Sequence, residues 1–185
     1  TVQYALNALE KKGYVYRRRG RGTFVRNNTV GKMDLGYLSE QGNTGITAIV
    51  KNHGAKSSNK VLARGVTTGR FFSKKLCLAD GATVYALHRV RLGNDEPIAV
   101  EYTYLPAYLF QDIEDVDFTY ISLYDYMNVQ GHMPEKFKQK LQIIDVMEKE
   151  RRHLHLEKRE PVYYFEFIGY DKDRNIVEYT ESYAR

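Results

Sequence analysis

The stretch Tyr85-Ala86-Leu87-His88-Arg89-Val90-Arg91-Leu92-Gly93-Asn94-Asp95-Glu96-Pro97-Ile98-Ala99-Val100-Glu101-Tyr102-Thr103-Tyr104-Leu105 reads as two long strands around a tight turn. β-Branched, aromatic and aliphatic residues fill both arms, and Gly93-Asn94-Asp95 is hairpin turn chemistry. The outgoing strand spans 82–92 and the returning one 98–105. A second hairpin closes the chain, with 162–170 and 176–183 flanking Asp171-Lys172-Asp173-Arg174-Asn175. Working outward, a strand or bent strand is expected over 61–72, with Ser73 capping a short helix through Leu78 and Asp80-Gly81 turning the chain. Helices are expected over 46–53 (ended by Gly54), 122–129 and 149–156, and a strand over 137–146; Pro161 stops any helix. Strands in hairpins with helices between them predict an α+β domain built on an antiparallel sheet.

The totals agree with a folded chain. At 185 residues and 43% hydrophobic content, one or two domains with a real core are expected, and a mostly disordered chain is excluded. The single cysteine, Cys77, excludes an intrachain disulfide and a multi-cysteine zinc site, and fits a reducing, cytoplasmic setting. No apolar run approaches the roughly 18 residues of a membrane span, and neither a signal peptide nor a membrane partner is expected. The sequence starts at Thr1, without Met, inside a helical pattern, and so reads as a piece of a longer protein.

Charge is uneven. The formal net charge is +5, yet residues 1–26 hold seven Lys and Arg against one acid, Glu10, while the other 159 residues hold 21 bases and 22 acids. The surplus is therefore local, and points to a local anionic partner. Val2, Ala5, Leu6 and Leu9 recur at helical spacing until Gly13. Tyr14 to Arg19 is strand-like, Gly20-Arg21-Gly22 a turn, and Thr23-Phe24-Val25-Arg26 the returning strand. A helix followed by a basic hairpin is the second half of a winged helix-turn-helix. Its helix would enter the major groove and its wing would set Arg21 against the DNA backbone or the minor groove. A solvated basic hairpin is the plainer alternative.

The run Thr1-Val2-Gln3-Tyr4-Ala5-Leu6-Asn7-Ala8-Leu9-Glu10-Lys11-Lys12-Gly13-Tyr14, followed by Arg17-Arg18-Arg19-Gly20-Arg21-Gly22-Thr23-Phe24-Val25, resembles the recognition helix and wing of GntR-type bacterial regulators. The resemblance implies contacts to double-stranded operator DNA from Thr1, Gln3, Tyr4, Arg17, Arg19, Arg21, Gly22 and Thr23. The family commonly has arginine where this chain has Gln3, and glutamine pairs with adenine rather than guanine. Residues 1–26 would be a partial winged-helix domain and 27–33 a linker.

Residues 34–185 resemble the UTRA effector-binding domain of the histidine-utilisation-repressor branch of that family, whose fold is like chorismate lyase. The resemblance rests on Gly42-Asn43-Thr44-Gly45-Ile46-Thr47, on 85–92 and 96–106, on Ser122-Leu123-Tyr124, and on Glu178-Tyr179-Thr180-Glu181-Ser182-Tyr183-Ala184-Arg185. From the residues alone, period two puts Arg89 and Arg91 on one strand face with Glu101 in reach. That is either a structural ion-pair cluster or an anion site. Thr44 and Ser122 each open a helix, as ordinary caps or as anion-binding N-termini. The resemblance implies that these elements converge. Arg89, Arg91, Ser122 and the amides of Gly45, Ile46 and Thr47 would hold the phosphate or carboxylate of a small metabolite. Glu101, Tyr124 and Glu178 would read its hydroxyls or amine. Where the family often has an aromatic, this chain has Ala184, which leaves one pocket wall open.

Other candidates carry less. His153 and His155 lie two apart on an expected helix and do not share a face, so no metal is expected. His88 reads as surface or packing, and Cys77, between Leu76 and Leu78, as buried. No Ser-His-Asp order, zinc spacing or Walker loop occurs, and no cofactor is expected. The expected function is a homodimeric repressor released or engaged by a small anionic metabolite such as a sugar phosphate. An enzyme of lyase-like fold acting on a carboxylated substrate is the competing reading.

Overall fold

Asn94 and Asp95 both take left-handed backbone, with φ of 50° and 67°, the conformation a two-residue hairpin turn demands. The strands they join, Thr83–Gly93 and Glu96–Pro106, pair antiparallel along almost their whole length. The Asn94 side chain and amide also tie the turn to Lys56, at 2.8 and 2.9 Å. This computed structural model describes residues 2–11, 15–18, 20–25 and 56–185. The chain divides into two compact units, 1–36 and 37–185.

In the first unit, helix α1 (Val2–Lys11) precedes strands β1 (Val15–Arg18) and β2 (Gly22–Val25), which pair antiparallel. Gly20 and Gly22 turn the chain at φ 75° and 104°, where a side chain would be strained. Tyr16 stacks on Phe24 at 5.6 Å, and the Arg18 guanidinium lies 5.6 Å from the Tyr16 ring centre.

The second unit is a six-stranded antiparallel sheet. Strand β3 is Ser57–Thr68, β4 and β5 are the two arms above, β6 is Lys136–Ile144, β7 Val162–Tyr170 and β8 Ile176–Ala184. Their spatial order is β3-β4-β5-β8-β7-β6. Helices α2 (Arg70–Lys75), α3 (Leu123–Val129) and α4 (Glu148–His153) lie between strands in sequence. The expected α+β antiparallel class is the observed one.

Alternation along the strands makes two cores. On one face Val84, Val90, Val100, Tyr102, Tyr104 and Tyr179 pack with Leu76, Leu154 and Leu156. On the other, Tyr85, Leu87, Leu105 and Val177 pack with Phe110, Phe118, Leu123 and Met127.

Four expectations are corrected. Ser73 does not cap a helix: α2 starts at Arg70, and Ser73 is buried inside it with its hydroxyl 3.3 Å from the Gly69 carbonyl. Phe71 and Phe72 are therefore helical rather than the end of a strand. Phe72 is drawn there by stacking on Tyr104 at 4.2 Å. Cys77 is exposed, because it adopts φ 53° in the turn after α2 while Leu76 fills the core instead. The last expected helix stops at His153, and His155 lies beyond it at φ 52°. The expected linker at 27–33 and helix at 46–53 lie outside the described residues.

Candidate functional site

Arg89 faces Glu101 directly across the β4–β5 pair, because the hairpin register sets them opposite each other. The Arg89 guanidinium donates to Glu101 Oε2 at 3.0 Å, and Arg91 Nε stands 3.8 Å from that same oxygen. Two cations thus share one carboxylate oxygen. All three residues are at most 6% exposed. The Nε groups of Arg89 and Arg91 have no hydrogen-bond partner among the described residues. Burial pulls the Arg91 guanidinium below its usual range, with Glu101 opposing that and Arg89 adding to it.

Glu178 joins from β8, fully buried. Tyr124, in the first turn of α3, donates its hydroxyl to Glu178 Oε1 at 2.6 Å. Burial raises the Glu178 carboxyl to about 7. The Tyr124 hydrogen bond and Arg89 pull it down, and Glu101 pushes it up. Tyr124 itself is held well above its usual value, first by burial and then by Glu178. These mutual influences place Arg89, Arg91, Glu101, Tyr124 and Glu178 in one electrostatic neighbourhood.

Ser122 is the N-cap of α3, where its hydroxyl accepts from the Asp125 amide at 3.4 Å. It is exposed, and no contact from it to the arginines occurs among the described residues. Gly45, Ile46 and Thr47 lie outside the described residues.

The same face of the sheet carries polar residues that the sequence reading passed over. Thr103 and Thr180 bond to each other at 2.9 Å, both 1% exposed. Ser182, opposite Glu101, is as deeply buried, and its hydroxyl has no partner among the described residues. Asn59, opposite Arg91 on β3, has an unpartnered, buried side-chain oxygen. Serine, threonine and asparagine on strands carry no mark in a sequence. Only their position on the arginine face, two residues apart along β8, could have raised them.

The opposite face holds a different polar set. Tyr164 and Tyr179 donate to Glu181 at 2.7 and 3.0 Å, Tyr102 to Glu150 at 2.5 Å, and Lys75 to Glu166 at 2.8 Å. His88 packs edge-on against Tyr102 and Tyr104, and burial lowers its imidazole below the usual value. These groups join α2 and α4 to the sheet.

In the first unit, Gln3 and Tyr4 lie exposed in the first turn of α1, and Arg21, Gly22 and Thr23 are exposed on the hairpin. Arg17 is engaged within the unit, donating to Asn7 at 2.6 Å and lying 3.5 Å from Glu10. Thr1 and Arg19 lie outside the described residues. Among the described residues, no helix is long and apolar enough to cross a membrane.

Comparison with known proteins gives a consistent result. The model of the UTRA domain matches residues 52–185. The HTH-type transcriptional regulator GgaR of Escherichia coli K12 is 29% identical over 186 residues, covering 100% of this chain and 71% of that protein. The HTH-type transcriptional repressor NagR of Bacillus subtilis is 27% identical over 187 residues, covering 100% and 74%. Among solved structures, PhnF from Mycobacterium smegmatis superposes with a TM-score of 0.72 at 23% identity, covering 100% of this chain and 79% of that one. The C-terminal domain of the histidine utilization repressor from Pseudomonas syringae gives 0.64 at 19% identity, over 70% and 91%.

Proposed function

This chain belongs to the UTRA domain family, and from that premise we propose that its second unit senses a small anionic metabolite and its first unit reads DNA. The protein is a transcriptional regulator of the GntR type, as its relatives are, and not an enzyme.

One observation supports the anion: Arg89 and Arg91 share a single oxygen of Glu101 while both buried Nε donors lack a hydrogen-bond partner among the described residues. A buried guanidinium with an unmet donor is costly. The second carboxylate nearby, Glu178, is pushed toward its neutral form by burial, with a pKa of about 7, and so is a weaker counter-ion than an ordinary carboxylate. A phosphate or carboxylate presents several acceptor oxygens to such a fork. Sugar phosphates are the favoured class; one relative is named as a probable fructoselysine utilization operon repressor. Gly45, Ile46, Thr47 and Ser122 would complete the anion's hydrogen bonds, and Glu101, Tyr124 and Glu178 would read its hydroxyls or amine.

The protein would act in the cytoplasm as a homodimer on a two-fold operator, since readers of this kind match their symmetry to half-sites. Ligand then changes operator affinity by its preference between two arrangements of the DNA-reading units.

A thermal-shift panel of sugar phosphates, amino acids and carboxylates tests the anion class, because ligands of the native state raise Tm. Arg91→Gln leaves the Arg89–Glu101 pair in place. It is expected to abolish the shift produced by any active anion. A shift that persists in that variant rules out the arginine site.

A further inference from the structure

The Ser182 side chain makes no hydrogen bond among the described residues. Its hydroxyl is buried and has no partner among the described residues, although β8 pairs on both sides, with β5 and with β7. An orphan hydroxyl lowers stability, so Ser182 is a buried group with a hydrogen bond still to make. Its surroundings suggest one. Ser182 stands directly opposite Glu101, in the row that begins with Arg89. The next row holds Arg91, Ala99 and Ala184, so the sheet floor beside Arg91 is made of two methyl groups. On β7, Tyr163 and Phe165 stand opposite Ala184 and Ser182, half-buried. In the other direction Thr180 donates its hydroxyl to Thr103, so both oxygens already have a partner.

We propose that Ser182, with the floor of Ala99 and Ala184 and the wall of Tyr163 and Phe165, is a second subsite for the metabolite held by Arg89 and Arg91, taking a neutral hydroxylated ring. The inference rests on the anion reading above. The chemistry is that of sugar recognition: an aromatic wall for the C–H face, small residues for close approach, and one hydroxyl that can donate or accept. The class of ligand is then a phosphorylated disaccharide or similar glycoside, larger than a lone hexose phosphate. Ser182 is the residue that distinguishes the two.

The test is calorimetric titration of the 185-residue chain with inorganic phosphate, glucose 6-phosphate and cellobiose 6′-phosphate. The disaccharide phosphate is expected to bind at least about tenfold tighter than glucose 6-phosphate. Ser182→Ala should weaken the disaccharide phosphate by about three- to tenfold, the worth of one neutral hydrogen bond, and leave glucose 6-phosphate unchanged. The apo Tm of Ser182→Ala should hold or rise, since no bond is lost. Ala184→Leu should remove the preference for the disaccharide by filling the floor; if that variant unfolds, Ser182→Ala alone decides. Equal binding of the two sugar phosphates, an equal loss for both in Ser182→Ala, or a lower apo Tm in that variant overturns the subsite. Binding of all three probes that survives Arg91→Gln overturns the anion reading instead. No binding of any probe to the unmodified chain overturns both.

Discussion

Glu178 is a carboxylic acid whose pKa is raised chiefly by burial, and its titration has a definite sign. Its folded value, about 7, lies above the ordinary value of 4.5. Between the two, the folded state binds the extra proton, so stability falls as pH rises through that window and levels off above it. Glu178→Gln should match the unmodified chain in Tm below pH 4.5 and exceed it above pH 7. Parallel melting curves across that range would refute the assignment. Gly169 bears on the same carboxyl: a Cβ there would lie 2.8 Å from Glu178 Cγ and 3.0 Å from Pro134 Cβ. Gly169→Ala should cost about 1–3 kcal/mol in urea denaturation through overpacking. The cluster itself was partly legible. Arg89, Arg91 and Glu101 follow from strand period and hairpin register, which are written in the sequence. Ser182 and Asn59 were not, because an unmet hydrogen bond is a property of packing and has no residue signature.

Both hairpins were legible as elements, since Asn94-Asp95 and the polar run at 171–175 have the turn chemistry their backbones need. Asp171 shows why: it accepts from the amides of Asp173 and Asn175, at 3.0 and 2.8 Å, and so folds the loop locally. Helix α2 was misread because Phe71-Phe72 continues an apolar strand pattern. What makes it helical is tertiary: Phe72 on Tyr104, and Phe71 edge-on to Tyr179. Helix α3 supports a prediction that separates two uses of one side chain. Ser122 caps it. Ser122→Asp preserves a capping oxygen, so the urea midpoint should change little. It adds a negative charge beside the proposed anion, so phosphate-ligand affinity should drop at least about tenfold. Unchanged affinity would remove Ser122 from the site.

For the whole molecule, the charge surplus of residues 1–26 against a nearly balanced remainder sets the salt dependence of DNA binding. Operator affinity of the full-length protein should fall steeply with salt, and Arg21→Ala should flatten the log–log slope by about one. Arg17 is bonded to Asn7 and placed near Glu10, so its removal should also lower the stability of the helix–hairpin unit. Strand β8 joins two tasks. Glu178 and Ser182 stand on the arginine face, while Glu181, one residue along, anchors Tyr164 and Tyr179 on the other. Inserting or deleting one residue within β8 would exchange those faces, putting carboxylate anchors among the arginines and the ligand-facing groups among the tyrosines. Descendants of this protein can therefore vary the letters of β8 to change what they sense, but its length is closed to them.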